Sequence, residues 1–102
     1  MQITESVINQ NTVLYAVEGR IDVNGSKMLE DELLTRTKSI VSWKIILDFS
    51  KVEYISSAGI RVLLSVHKNM NGKYDLVIKS PSEFCRQVFE VTGADIFLNI
   101  IQ

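Results

Sequence analysis

The 102-residue sequence predicts an α/β domain on a mostly parallel central sheet, with an antiparallel N-terminal edge hairpin and about three helices. Three observations carry this. Short runs rich in isoleucine and valine alternate with stretches of three-to-four apolar spacing, the pattern of strand–helix–strand units. Two runs, 12–19 and 43–50, carry apolar residues on both faces, which suits strands inside a sheet. The first two strand-like runs are separated only by Asn9, Gln10 and Asn11, which is turn chemistry.

The first strand is expected in "ITESVI" and the second in "TVLYAVEG", the latter covered on both faces. Asp22, Asn24 and Gly25 then break the pattern. A helix is expected over about 26–40, with Met28 or Leu29, Leu33, Arg36 or Thr37, and Ile40 at helical spacing. Glu30, Asp31 and Glu32 crowd its first half, where the helix dipole favours acids. "WKIILDFS" reads as a central strand buried on both faces. The next helix, over about 58–70, turns Ile60, Leu63, Leu64 and Val66 inward and ends at Asn71-Gly72. "YDLVIK" is another short strand. "SPSEF" then starts a third helix, with Ser80 as N-cap, Pro81 at the first helical position and Glu83 closing a capping box. That helix runs to about Thr92 with Phe84, Val88 and Phe89 inward, Gly93 is its C′ residue, and "IFLNII" is the last strand. The order is β-β-α-β-α-β-α-β, joined by right-handed crossovers.

Length fits one domain over 1–102. With 11 basic and 12 acidic side chains and a net charge of -1, nothing points to nucleic acid or to an anionic membrane surface. Cys85 is the only cysteine, which excludes an intramolecular disulfide and a cysteine-rich metal site and makes a reducing cytoplasm the simplest home. "MQITESVINQ" lacks the charged and apolar regions of a signal peptide. No apolar run approaches the ~20 residues of a membrane helix.

Enzyme chemistry finds little footing. His67 is the only histidine and falls in line with Ile60, Leu63 and Leu64, as a partly buried structural residue does. "SSAG" is not a nucleophile elbow, and a serine ten residues before His67 lies about three turns from it on one helix. No phosphate-binding glycine loop is present. Asp48 and Asp22 stand near the ends of apolar strands, as turn or cap residues or as functional ones. Cys85, in the first turn of a helix, reads as a packed thiol. Ser56 and Ser57 remain. One of them is expected to cap the following helix. A phosphate on the other would face the positive end of the helix dipole and its unpaired amides. Ala58 and Gly59 are small enough to let another protein approach closely.

"LDFSKVEYISSAGIRVLL" closely resembles the signature of STAS domains, in particular bacterial anti-sigma factor antagonists. "VEGRIDVNGSKMLEDEL" resembles the family's Gly-x-x-Asp segment before its first helix. "PSEFCRQVFEVTGADIFLNI" resembles its closing helix, Thr-Gly and final strand. The three matches run in the family's order over almost the whole chain.

The resemblance implies a regulatory, protein-binding module of the cytoplasm rather than an enzyme, with no cofactor. It places the phospho-acceptor two residues before the signature glycine, which is Ser57 before Gly59. Asp22 matches the aspartate of the Gly-x-x-Asp element, so the implied partner surface is Asp22, Ser56, Ser57, Ala58 and Gly59. Ser56 stands where many members carry aspartate, a departure that bears on kinase recognition. The implied partners are a serine-kinase anti-sigma factor, bound by the unmodified form to free a sigma factor, and a PP2C-type phosphatase that reverses Ser57 phosphorylation. The alternative implied role is a STAS scaffold or transporter-associated interaction module without a phosphate cycle.

Overall fold

The computed structural model describes residues 1–38, 44–70, 73 and 75–102. Its elements are β1 (Gln2–Asn9), β2 (Thr12–Ile21), α1 (Val23–Lys38), β3 (Lys44–Ile55), α2 (Ser57–Met70), β4 (Asp75–Lys79), α3 (Glu83–Thr92), a 3₁₀ turn (Ala94–Ile96) and β5 (Asn99–Ile101). The sheet order is β1-β2-β3-β4-β5. β1 pairs antiparallel with β2, and every other pair is parallel. The predicted edge hairpin and parallel core are therefore present.

Strand order that follows chain order has a consequence. Each right-handed crossover steps one strand in the same direction, which sends all three helices to one face of the sheet. Burial agrees. On that face Val13, Tyr15, Val17, Ile45, Leu47 and Phe49 are at most 1% exposed. The alternate residues Leu14, Ala16, Ile46 and Asp48 are only half-buried. The expectation that β2 and β3 are covered on both faces is thus corrected: among the described residues, helices cover one face, and the apolar stripe on the other is left open.

Several boundaries differ from the sequence reading, each for a local reason. α1 begins three residues earlier than expected, because the Asp22 carboxylate accepts the Gly25 N–H at 2.7 Å and caps it there. Leu29 and Leu33 are its buried hydrophobic residues, while Met28 is exposed; Ile40 lies outside the described residues. β3 continues to Ile55, seven residues beyond Asp48, so Asp48 is not at a strand end. Its carboxylate accepts the Ser50 N–H at 3.0 Å, where the β2–β3 register shifts. Trp43, Asn71, Gly72 and Tyr74 lie outside the described residues.

The third helix start is also corrected. Ser80 sits at φ 51 and its N–H donates to the Ile101 carbonyl at 2.8 Å, ending the β4–β5 ladder rather than capping a helix. The α conformation is disfavoured just before Pro81, so the helix waits for Ser82. The Ser82 hydroxyl accepts the Cys85 N–H at 3.4 Å and donates to the Val52 carbonyl at 2.6 Å, so one side chain caps α3 and ties it to β3. Gly93 ends the helix at φ 75 as expected. The expected last strand is shortened by the 3₁₀ turn to three residues.

Tyr15 links the hairpin to this core. Its hydroxyl donates to Glu5 at 2.9 Å, and Arg36 of α1 reaches Glu5 at 3.6 Å. Burial first, then the Glu5 hydrogen bond, pushes the phenol well above its ordinary 10.0. Above pH 10 the unfolded chain then ionises Tyr15 while the folded chain does not, so this stabilisation is present below pH 10 and drains as pH rises. Tyr15→Phe is expected to lose less stability between pH 9 and about 12 than the wild type. Urea midpoints that fall in parallel for both proteins would refute the linkage.

Candidate functional site

β2 and β3 run side by side and end together, with Ile21 in register with Ile55. Each leads at once into a helix. The Ser56 N–H donates to the Ile21 carbonyl at 2.9 Å, which locks the start of α2 beside the start of α1. Two helix N-termini, each carrying a partial positive charge, therefore share one edge of the molecule.

The structure separates the two serines. The Ser56 Oγ accepts the Gly59 N–H at 3.2 Å, and its carbonyl accepts the Ile60 N–H at 3.0 Å. Ser56 is the cap. Ser57 is the first residue of α2, exposed, and its hydroxyl has no hydrogen bond among the described residues. Asp22 is exposed one step before α1, its carboxylate held by the Gly25 N–H. Ala58 is half-buried at the surface. All five residues singled out by the sequence are thus brought to one edge.

Gly59 plays a different part from the one its size suggested. It is buried, and a Cβ there would lie 2.7 Å from Ile55 Cγ1 and 2.9 Å from Ile21 Cγ2. Its missing side chain lets the first turn of α2 sit directly on the two strand ends. Gly25 does the same for α1, where a Cβ would stand 2.9 Å from the Arg20 carbonyl oxygen.

Between the two helix starts lies an open groove of about 390 Å³. Val23, Lys27 and Glu30 line it from α1, and Ala58, Arg61 and Ser65 from α2. Val23 is 69% exposed. Sequence reading missed Val23, Lys27 and Arg61. Val23 looked like part of a pattern break, and only the pairing of the two helices brings Arg61, one turn beyond Ser57, opposite Lys27.

The other candidates lie elsewhere. His67 is in the last turn of α2, half-buried, with Nδ1 unpartnered among the described residues. Cys85 is buried with Sγ 3.9 Å from the Val52 carbonyl, and burial pushes its thiol above the ordinary range. Among the described residues no cluster of His, Cys, Asp or Glu could hold a metal, and no helix is long and apolar enough to cross a membrane.

The profile of the STAS domain matches residues 4–102. The chain belongs to the STAS domain family. Within it, the chain is similar to BtrV of Bordetella bronchiseptica, assigned as an anti-sigma factor antagonist, at 32% identity over 89 residues, covering 86% of this chain and 73% of that protein. The fold of this STAS domain is that of solved anti-sigma factor antagonists. A Mycobacterium paratuberculosis antagonist superposes with TM-score 0.83 at 20% identity, covering 98% of this chain and 86% of the other. Unphosphorylated SpoIIAA superposes with TM-score 0.78 at 16% identity, covering 99% and 89%.

Gly59→Ala is expected to destabilise this STAS domain by ~1–3 kcal/mol, since the added methyl overpacks two buried isoleucines. Urea unfolding measures it, and an unchanged midpoint would show that the close approach is not a constraint.

Proposed function

We propose that this STAS domain is an anti-sigma factor antagonist switched by phosphorylation of Ser57. Unmodified, it binds a serine-kinase anti-sigma factor in the cytoplasm through the paired helix starts and so frees a sigma factor. Phosphorylation ends binding, and a PP2C-type phosphatase restores it. The chain acts as a binding module and not as an enzyme.

One observation carries the reading: the Ser57 hydroxyl is exposed at a helix N-terminus with no hydrogen-bond partner among the described residues, while its neighbour Ser56 is committed to the cap. Asp22, Ser56, Ser57 and Ala58 form the contact edge, Gly59 holds it close to the strands, and Val23 offers an apolar contact. Charge supplies the switch. Arg61 faces Lys27 and Glu30 across the groove, and with the Asp22 carboxylate of the same edge the four formal charges cancel. A phosphate adds about −1.5 to −2, which turns a neutral surface strongly negative for the partner that meets it. At a helix N-terminus that charge is tolerated by the domain itself. Support also comes from SpoIIAA, which is known in unphosphorylated and phosphorylated forms.

A second reading, a STAS scaffold or transporter-associated module with no phosphate cycle, is favoured by Ser56 standing at the family's common aspartate position. One experiment divides the two. Titrated calorimetrically against the kinase-type anti-sigma factor of the same genome, Ser57→Ala is expected to bind within about threefold of wild type. Ser57→Asp is expected to bind at least tenfold more weakly, about 1.4 kcal/mol. Equal binding by both variants, or no phosphopeptide from Ser57 after incubation with that kinase and ATP, overturns the switch.

A further inference from the structure

The face of the sheet turned away from the helices carries a charge pattern that the switch does not use. Register puts Leu14, Ile46 and Val77 in one row across β2, β3 and β4. Flanking that apolar row are two pairs of opposite charge on neighbouring strands: Lys44 beside Asp75 at one end, and Asp48 beside Lys79 at the other. Among the described residues no side chain of the four makes a hydrogen bond or ion pair with another of the four, and the Asp48 carboxylate accepts the Ser50 N–H. At the margins Ile8 is 56% exposed and Ile101 42% exposed. Within the row Leu14 and Ile46 are half-buried and Val77 is 2% exposed, so its accessible apolar surface comes from β2 and β3.

The arrangement is an alternating square, with Lys and Asp at one end of the strands and Asp and Lys at the other. Such a square complements itself under a two-fold axis lying in the interface. With the axis along the strands, Lys44 meets the second copy's position 75, and Asp48 meets its position 79. With the axis across the strands, Lys44 meets position 48 and Asp75 meets position 79. Either way every charge meets its opposite over a central apolar row. A partner of uniform charge would meet two like charges here, and like charges brought together are penalised. We propose that this open face is a self-association surface, on which a second copy of the chain packs sheet against sheet, as two sheets do at about 10 Å in a sandwich.

Magnitude sets the strength. Five strands about 4.8 Å apart and about five residues long cover roughly 400 Å² in plan. Stable complexes bury about 800 Å² per partner. The dimer is therefore weak and reversible, held in the micromolar-to-millimolar range. It leaves the helix starts at Asp22 and Ser57 free, so it is independent of the proposed switch.

Sedimentation equilibrium on the full chain tests it. The average mass is expected to rise from 11.6 kDa toward twice that value as concentration increases. Ile46→Lys should weaken association at least about a hundredfold, and Lys79→Glu about tenfold. Circular dichroism confirms that each variant is folded; if Ile46→Lys is not, the charge series alone decides. Adding Asp48→Lys or Asp75→Lys to Lys79→Glu should restore association, and whichever succeeds identifies the axis. A wild-type mass fixed at 11.6 kDa up to about 1 mM overturns the proposal. So does a dimer indifferent to Lys79→Glu, which would be using another surface such as the β1 edge. Restoration by neither second substitution also overturns it.

Discussion

The contact of Gly59 with Ile21 and Ile55 is the constraint on which the rest depends. Parallel strands in register bring the two isoleucines together at one edge. A helix can begin over them only if its first turn presents no side chain, since even a methyl would stand 2.7 Å from Ile55. With that approach allowed, the Ser56 N–H reaches the Ile21 carbonyl, the Ser56 hydroxyl caps the helix, and Ser57 is left facing solvent. A bulkier residue would tilt α2 away and loosen the cap that distinguishes the two serines.

One-sidedness is the second determinant. Strand order equal to chain order sends every right-handed crossover to the same face. The core is accordingly a single layer between sheet and helices. Long-range ties gather on its rim: Glu5 holds Tyr15 and Arg36 at one end, and Arg20 lies 4.3 Å over the Tyr54 ring, which in turn packs on Phe84, at the other. The first joins hairpin to α1, and the second joins β2, β3 and α3. The uncovered face must manage its own exposure, and it does so with a narrow apolar row between charged pairs.

Much of this was legible in the sequence because the signals were local. Alternation and helical spacing named the elements, and Gly93 marked a helix end that has the expected left-handed backbone. The candidate site residues could be named because Ser-Ser-Ala-Gly lies in a recognisable order with Gly-Arg-Ile-Asp. What stayed hidden depends on pairing across the chain. Leu14 and Ile46 looked doubly buried because apolar alternation cannot report which face receives helices. Ser80 looked like a cap because the rule that places Pro81 inside a helix competes with the restriction Pro81 puts on its predecessor; the pull of the β4–β5 ladder on the Ser80 N–H settled it. Gly59 looked like an outward courtesy to a partner, and only the register of Ile21 with Ile55 shows that it faces inward. Lys27 and Arg61 are 34 positions apart in sequence, so nothing local could join them.

The geometry bears on the kind of switch that the proposed function needs at the helix start. Ser57 sits on a turn pinned by a cap, a backbone bond to β2 and a buried glycine, so a phosphate there has little room to move the backbone. The same amide donors and dipole that make a dianion tolerable to the domain make the unmodified edge attractive to an acidic partner surface. A phosphate on Ser57 would face those donors from within and leave the edge of Asp22, Lys27, Glu30 and Arg61 net negative. On the proposed function, the partner would then lose its attraction without any rearrangement of the fold. A switch of the proposed kind would work by adding charge to a fixed surface, and it would need the rigidity that Gly59 provides.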